Sequence, residues 1–114
     1  VSMKQGEIWL ASLLETVGRE QSGLRPVVIM ADTPANVCVV LPLTSNLKAL
    51  KFPHTIQLDP SKEVGLDTTS VVLAFQIRAI DKTRFSHKIG LVNKNDLQKI
   101  FDLVSRLLLG YEKK

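Results

Sequence analysis

The feature that most constrains this chain is a change of period near residue 95. Before it, apolar residues come in short, dense runs rich in β-branched side chains. After it they recur in steps of three and four: Leu97, Ile100, Phe101, Val104, Leu107 and Leu108, between Asn95 and Leu109. Such steps lay one apolar stripe along a helix. Asn95 with Gln98 resembles a capping box at its start, and Gly110 supplies a stop. Leu103 and Leu109 fall off the stripe, as surface leucines or as part of a subunit contact. Strands in series with one helix at the end lack the alternation that a parallel sheet needs. The expected fold is mainly β: five to seven short strands in a small barrel, with a C-terminal α-helix.

The runs themselves sharpen this. Glu7–Ala11 is a first strand, and a loop from about Glu15 to Leu24 follows. Pro26–Ala31 and Val37–Leu43 are continuously apolar, as strands buried on both faces are. The turn cluster Asp32–Asn36 separates them. Pro42, near the end of the second run, points to a bulge or an edge. Beyond the polar loop Thr44–Lys51, His54–Leu58 alternates and reads as a half-exposed strand. Asp59–Asp67 is a loop broken by Pro60 and Gly65. Thr69–Ile80 reads as one long strand, Asp81–Arg84 as a turn or a single helical turn, and Lys88–Val92 as a last strand.

At 114 residues the chain is expected to form one domain, residues 1–114. Hydrophobic residues make up 45%, so a disordered chain is excluded. No apolar run approaches a membrane span, and the first six residues hold no leader core, so the expected location is the cytoplasm. The lone Cys38 has neither a disulfide partner nor a metal-binding spacing and reads as a small core residue. A net charge of +4 permits an anionic partner without demanding one. Aromatics are only 5%, which argues against a multi-base stacking platform.

Most motifs that carry chemistry are absent: no phosphate-binding glycine loop, no HExxH and no GxSxG. His54 and His87 are far apart in sequence and sit in no ligand spacing. What remains is polar residues at strand ends. Arg25 precedes a strand and Thr44-Ser45 follow one. Gln76 and Arg78, two apart in an apolar run, share one strand face, which is either solvated or a groove floor. Pro26 holds Arg25 extended and suits a strand's first position. A guanidinium is the side chain best shaped to grip a phosphate. A strand-edge arginine is also common without any such role.

Taken together these segments resemble the MazF/PemK family of toxin endoribonucleases, from about Gly6 to Leu109. Gly6-Glu7-Ile8-Trp9 is similar to the family's opening. Gly18-Arg19-Glu20-Gln21-Ser22-Gly23-Leu24-Arg25-Pro26-Val27-Val28 resembles its most diagnostic piece, Gly-x-Glu-Gln-x-Gly-x-Arg-Pro. Leu43-Thr44-Ser45 resembles the threonine after the third strand. Asp67 to Leu73 and Gln76 to Arg84 resemble the later motifs.

The resemblance implies an SH3-like barrel of the plasmid-maintenance toxin type, acting as a homodimer. It implies metal-independent, sequence-selective cleavage of single-stranded RNA with no cofactor, and neutralisation by a cognate MazE-like antitoxin. It implies Arg25 and Thr44 as the catalytic pair, with Glu20, Gln21, Ser45, Gln76 and Arg78 holding RNA. Glu20 is the best local candidate for a proton acceptor, beside water or catalysis by positioning and charge stabilisation alone. One position departs. Where many relatives carry an acid before the glutamine, this chain has Phe75, which either stacks on a base or packs inward. Two alternatives remain: a non-enzymatic, gyrase-poisoning barrel of the CcdB type, and a catalytically inactive nucleic-acid-binding barrel.

Overall fold

The computed structural model describes residues 2–13 and 23–110. Seven strands precede one helix: β1 (Glu7–Ser12), β2 (Leu24–Asp32), β3 (Val37–Thr44), β4 (Thr55–Leu58), β5 (Ser70–Leu73), β6 (Arg78–Asp81), β7 (Phe85–Leu91) and α1 (Lys94–Leu109). All pairings are antiparallel, in the order β4-β5-β3-β2-β1-β7, and β6 also pairs with β3. This is the mainly β architecture with a C-terminal helix that the change of period predicts.

The apolar runs of β2 and β3 are buried on both faces, and their alternation sorts side chains into two cores. Val28, Met30, Leu41 and Leu43 join Ile8, Leu58, Val72 and Ala74 in one cluster, which Ile100 and Val104 of α1 complete. Val27, Ile29, Cys38 and Val40 face the other way, onto Met3, Ala11 and Ile80. A residue such as Ile29, fully buried, costs about 2–5 kcal/mol when cut back to alanine.

The barrel is open. Among the described residues no ladder joins β4 to β7; the segment that follows β4 lies on β7 instead. The Leu91 N–H donates to the Glu63 carbonyl at 2.7 Å. Two glycines allow the approach. A Cβ on Gly65 would lie 1.9 Å from the Ile89 carbonyl oxygen, and Gly65 also has φ +70°. A Cβ on Gly90 would lie 2.0 Å from the Val64 carbonyl oxygen.

Four sequence expectations change. Leu103, read as lying off the buried stripe, is half-buried against the first cluster. The run read as one strand from Thr69 to Ile80 is broken by a 3-10 turn, Ala74–Gln76, between β5 and β6. Both strands pair with β3, and the turn lets one segment serve it twice. The cap of α1 is Asn93, not Asn95. The Asn93 side chain accepts from the Asp96 N–H at 2.8 Å, and Val92 and Leu97 pack into the core on either side as a hydrophobic staple. Leu108, placed on the buried stripe, is 66% exposed, because the last helical turn runs past the core. Gly110 ends the helix in the left-handed conformation at φ +76°, as its composition predicts. Lys82–Arg84 forms a single 3-10 turn capped by Asp81, also as expected.

Candidate nucleic-acid groove

At one end of β2 and β3 the surface opens into a groove of about 410 Å³. Arg25, Thr44, Asn46, Gln76 and Arg78 supply its polar lining. Pro42, Leu43 and Leu73 form apolar floor, and Leu13, Ala49, Phe52 and Phe75 complete the walls. Four residues singled out in the sequence, Arg25, Thr44, Gln76 and Arg78, therefore meet in one place, although they come from separate segments. Ser45 is exposed just beyond β3 and does not line the groove. Glu20 and Gln21 lie outside the described residues.

Backbone geometry explains the gathering. Arg25 is the second residue of β2, not the residue before it, and stands opposite Ala11 of β1. The β2–β3 ladder begins only at the Val27–Pro42 pair, so Pro26 lies just outside it. A proline is tolerated there because no β3 partner waits for its missing N–H. β3 then changes neighbours. It pairs with β6 up to Val40–Arg78 and with β5 from Leu43–Val72. Leu41 and Pro42 lie between the two ladders, on the stretch the 3-10 turn bridges. The turn thus carries Phe75 and Gln76 to the groove, and Arg78 enters at the first residue of β6. Gln76 and Arg78 share the groove through this turn, not through strand alternation. Helix α1 packs beneath the turn and supports it.

Thr44 closes β3. Its hydroxyl oxygen accepts the Asn46 N–H at 3.1 Å, which leaves the hydroxyl proton to donate into the groove. Asn46 in turn caps the short 3-10 helix Leu47–Lys51 by accepting from the Lys48 N–H at 3.1 Å. Asn46 and Phe52 were missed as individual residues in the sequence reading. The signal was there: an Asx cap directly after a strand, and a phenylalanine before a proline in a polar loop.

Among the described residues, the lining contains two guanidiniums and neither a carboxylate nor an imidazole. It is built to receive negative charge spread over several oxygens. His54, in a left-handed conformation before β4, and His87, exposed on β7, are not part of it. Among the described residues no group of three or more His, Cys, Asp or Glu could hold a metal ion. No helix of the described residues is long and apolar enough to cross a membrane.

Elsewhere Asp32 and Glu7 are paired within the chain. Asp32, at the far end of β2, pairs with Lys82 and accepts from the Met3 N–H at 3.3 Å. The Lys82 contact and the Met3 hydrogen bond hold its carboxyl below the usual carboxylate range. Burial, with Asp32 beside it, pushes the Cys38 thiol up to about 11. Glu7 is buried. Burial acts to raise its pKa, but the Trp9 indole N–H at 2.9 Å, the Lys4 N–H at 3.0 Å and Lys88 at 3.2 Å together lower it.

An open seven-stranded barrel with one helix and a cationic groove at its strand ends defines a class of small β proteins suited to a polyanion. Residues 4–108 match the family described as PemK-like, MazF-like toxin of type II toxin-antitoxin systems, and the chain belongs to that family. It is 32% identical to endoribonuclease EndoA of Bacillus subtilis over 102 residues, 86% of this chain and 87% of that one. It is equally similar, 32% over 102 residues, to endoribonuclease MazF of Staphylococcus saprophyticus, covering 86% of this chain and 84% of that one. The fold agrees with a mycobacterial endoribonuclease solved with its cognate antitoxin, at TM-score 0.74 and 20% identity over 99% of this chain and all of that one. MazF of Deinococcus radiodurans has the same fold, at TM-score 0.71 and 24% identity over 95% of this chain and 96% of that one.

Proposed function

We propose that this chain is a toxin endoribonuclease that cuts single-stranded RNA and is neutralised by a MazE-like antitoxin. The observation that carries the reading is the meeting of Arg25, Thr44, Gln76 and Arg78 in one groove whose lining, among the described residues, has two arginines and no acid. Family membership and two curated endoribonuclease relatives support it.

The reaction is a transphosphorylation. The ribose 2'-oxygen bonds to the adjacent phosphorus, and the bond from phosphorus to the 5'-oxygen breaks. The 2'-hydroxyl proton leaves to an acceptor, and the departing 5'-oxygen takes up a proton. Negative charge grows on the phosphoryl oxygens, where the planar Arg25 fork stabilises it in the transition state. Thr44 donates its hydroxyl proton to a phosphoryl oxygen and so aligns the attack. Gln76 and Arg78 hold the strand, and Ser45, Glu20 and Gln21 extend the contact.

Among the described residues no side chain of the lining can accept the proton, so the acceptor is sought beyond them. Glu20, on the loop leading into β2, is our assignment. Two guanidiniums cover the phosphoryl charge, and the reading needs no metal ion. An acidic, extended antitoxin segment suits the same cationic groove. The enzyme acts in the cytoplasm as a single-domain protomer of a homodimer.

The test is direct. Purified protein is incubated with a long single-stranded RNA in EDTA, and cuts are mapped by primer extension. Discrete cuts are expected. Absence of cleavage by folded protein overturns the nuclease reading, and cleavage lost only on chelation overturns the metal-free chemistry.

A further inference from the structure

Two large apolar side chains stand at the groove without being buried. Phe75 is 39% exposed and Phe52 is 48% exposed, while their neighbours Leu73 and Ala74 fill the core. The turn Ala74–Gln76 thus sends one side chain inward and the next outward. The two rings meet at 5.8 Å between centroids with an interplanar angle of 68°. That spacing is too close for a flat group to slide between them, so a ligand stacks on the outside of the pair. The Lys51 ammonium lies 5.7 Å from the centre of the Phe52 ring and already occupies one of its faces. Phe75 is left as the ring that can present a face. Both rings share their groove with Arg25 and Arg78, which anchor phosphates.

We propose that Phe75, braced by Phe52, is the stacking platform for one nucleobase of the strand held in the groove. The assignment rests on the single-stranded RNA reading above. A strand lying there needs two kinds of contact, cations for its backbone and a flat apolar face for an unstacked base. The groove places both side by side. Stacking on Phe75 fixes the register of the strand relative to Arg25, and so decides which phosphodiester sits at the reacting position. Because every base has a flat face, the platform sets position before it sets sequence, and Gln76 next to it is placed to read the edge of the stacked base.

The test uses two probes that cannot be cut: a deoxyadenosine octamer and an abasic tetrahydrofuran octamer of equal length and charge. Neither has a 2'-hydroxyl. Dissociation constants are measured by fluorescence anisotropy at fixed salt. The wild type is expected to prefer the adenine strand. Phe75→Ala should weaken adenine-strand binding by roughly five- to a hundredfold while leaving the abasic strand unchanged, and Phe52→Ala should show a smaller loss of the same kind. Phe75→Trp should keep the preference. Since Phe75 lies outside the core, circular dichroism and melting should match the wild type.

Equal binding of both strands by the wild type overturns the proposal, as does a preference that survives Phe75→Ala. So does a Phe75→Ala protein that changes oligomeric state on size exclusion, because the pair is then a protein contact. Cleavage of long RNA is scored separately on the same preparations. Cutting without base preference removes the platform and keeps the nuclease. Base preference without cutting keeps the platform and removes the nuclease.

Discussion

The two ends of β2 are charged in opposite styles. At one end Asp32 is matched to Lys82 and to a backbone amide. At the other, Arg25 lines a groove with Arg78 and, among the described residues, no acid. One strand, with the same buried middle of Val27, Val28, Ile29 and Met30, thus ends in an ion-paired cluster and in a groove lined by two arginines. The lesson concerns where charge is completed. Charges satisfied within the chain report on stability, and charges gathered with one sign report on binding.

The sharpest way to break the contrast is Arg25→Ala. It should lower the cleavage rate by roughly a hundred- to a thousandfold, the usual effect of removing a transition-state donor. The melting temperature should hardly move, since Arg25 is exposed. An unfolded Arg25→Ala protein would make that end structural as well. Arg25→Lys should recover only part of the rate, because an ammonium lacks the planar fork. Next in size, Thr44→Val keeps the shape and removes the hydroxyl. A loss of roughly ten- to a hundredfold is expected for one hydrogen bond to a charged group, read as kcat with the fold intact.

At the opposite end the pattern should invert. Lys82→Met should lower the melting temperature and leave cleavage at the wild-type rate; a loss of cleavage there would join the two ends into one site. The smallest effect is in the pH dependence of stability. The folded carboxyls of Asp32 and Glu7 are depressed, so their contribution is present above the ordinary carboxylate pKa of about 4 and is lost as pH falls below it. Asp32→Asn should flatten that acid limb in thermal melts. Cys38 works in the other direction. Its folded pKa is raised to about 11, so the folded state keeps a proton that the unfolded chain gives up. Stability should decline as pH rises from about 8.5, the ordinary thiol value, towards 11, and Cys38→Ala should soften that decline.

The same contrast explains what could be read from the sequence. Strands and helix were legible because burial on two faces and burial on one stripe leave different periods. Arg25 and Thr44 were legible as polar residues at the ends of apolar runs, and Gln76 and Arg78 as a polar pair inside one. The break at Ala74–Gln76 was not, because Val71-Val72-Leu73-Ala74-Phe75 is apolar throughout and period alone does not reveal a three-residue turn. It takes the two separate pairings with β3 to impose one. The cap at Asn93 was missed for a similar reason. Asn93 and Asn95 are chemically equal candidates, and the packing of Val92 and Leu97 on the core selects the first. Phe75 was legible as an oddity only, since stacking and inward packing look alike until the turn's direction is known.

The closeness of Gly65 to Gly90 has a consequence for how the molecule comes apart. Elsewhere neighbouring segments are stitched along a ladder, and stitches give way one at a time. Between the segment after β4 and β7, backbone rests directly on backbone, with the Leu91 amide bond beside it. Such a joint behaves as a clasp. It holds with little slack, and once the two glycines part, Val64 and Leu66 leave the core together. The first tear in this fold is therefore expected at that clasp, where the Leu91 amide should exchange with solvent ahead of the β2–β3 amides. None of the residues that form it lines the groove, so the molecule can loosen along this seam while Arg25 and Thr44 keep their places.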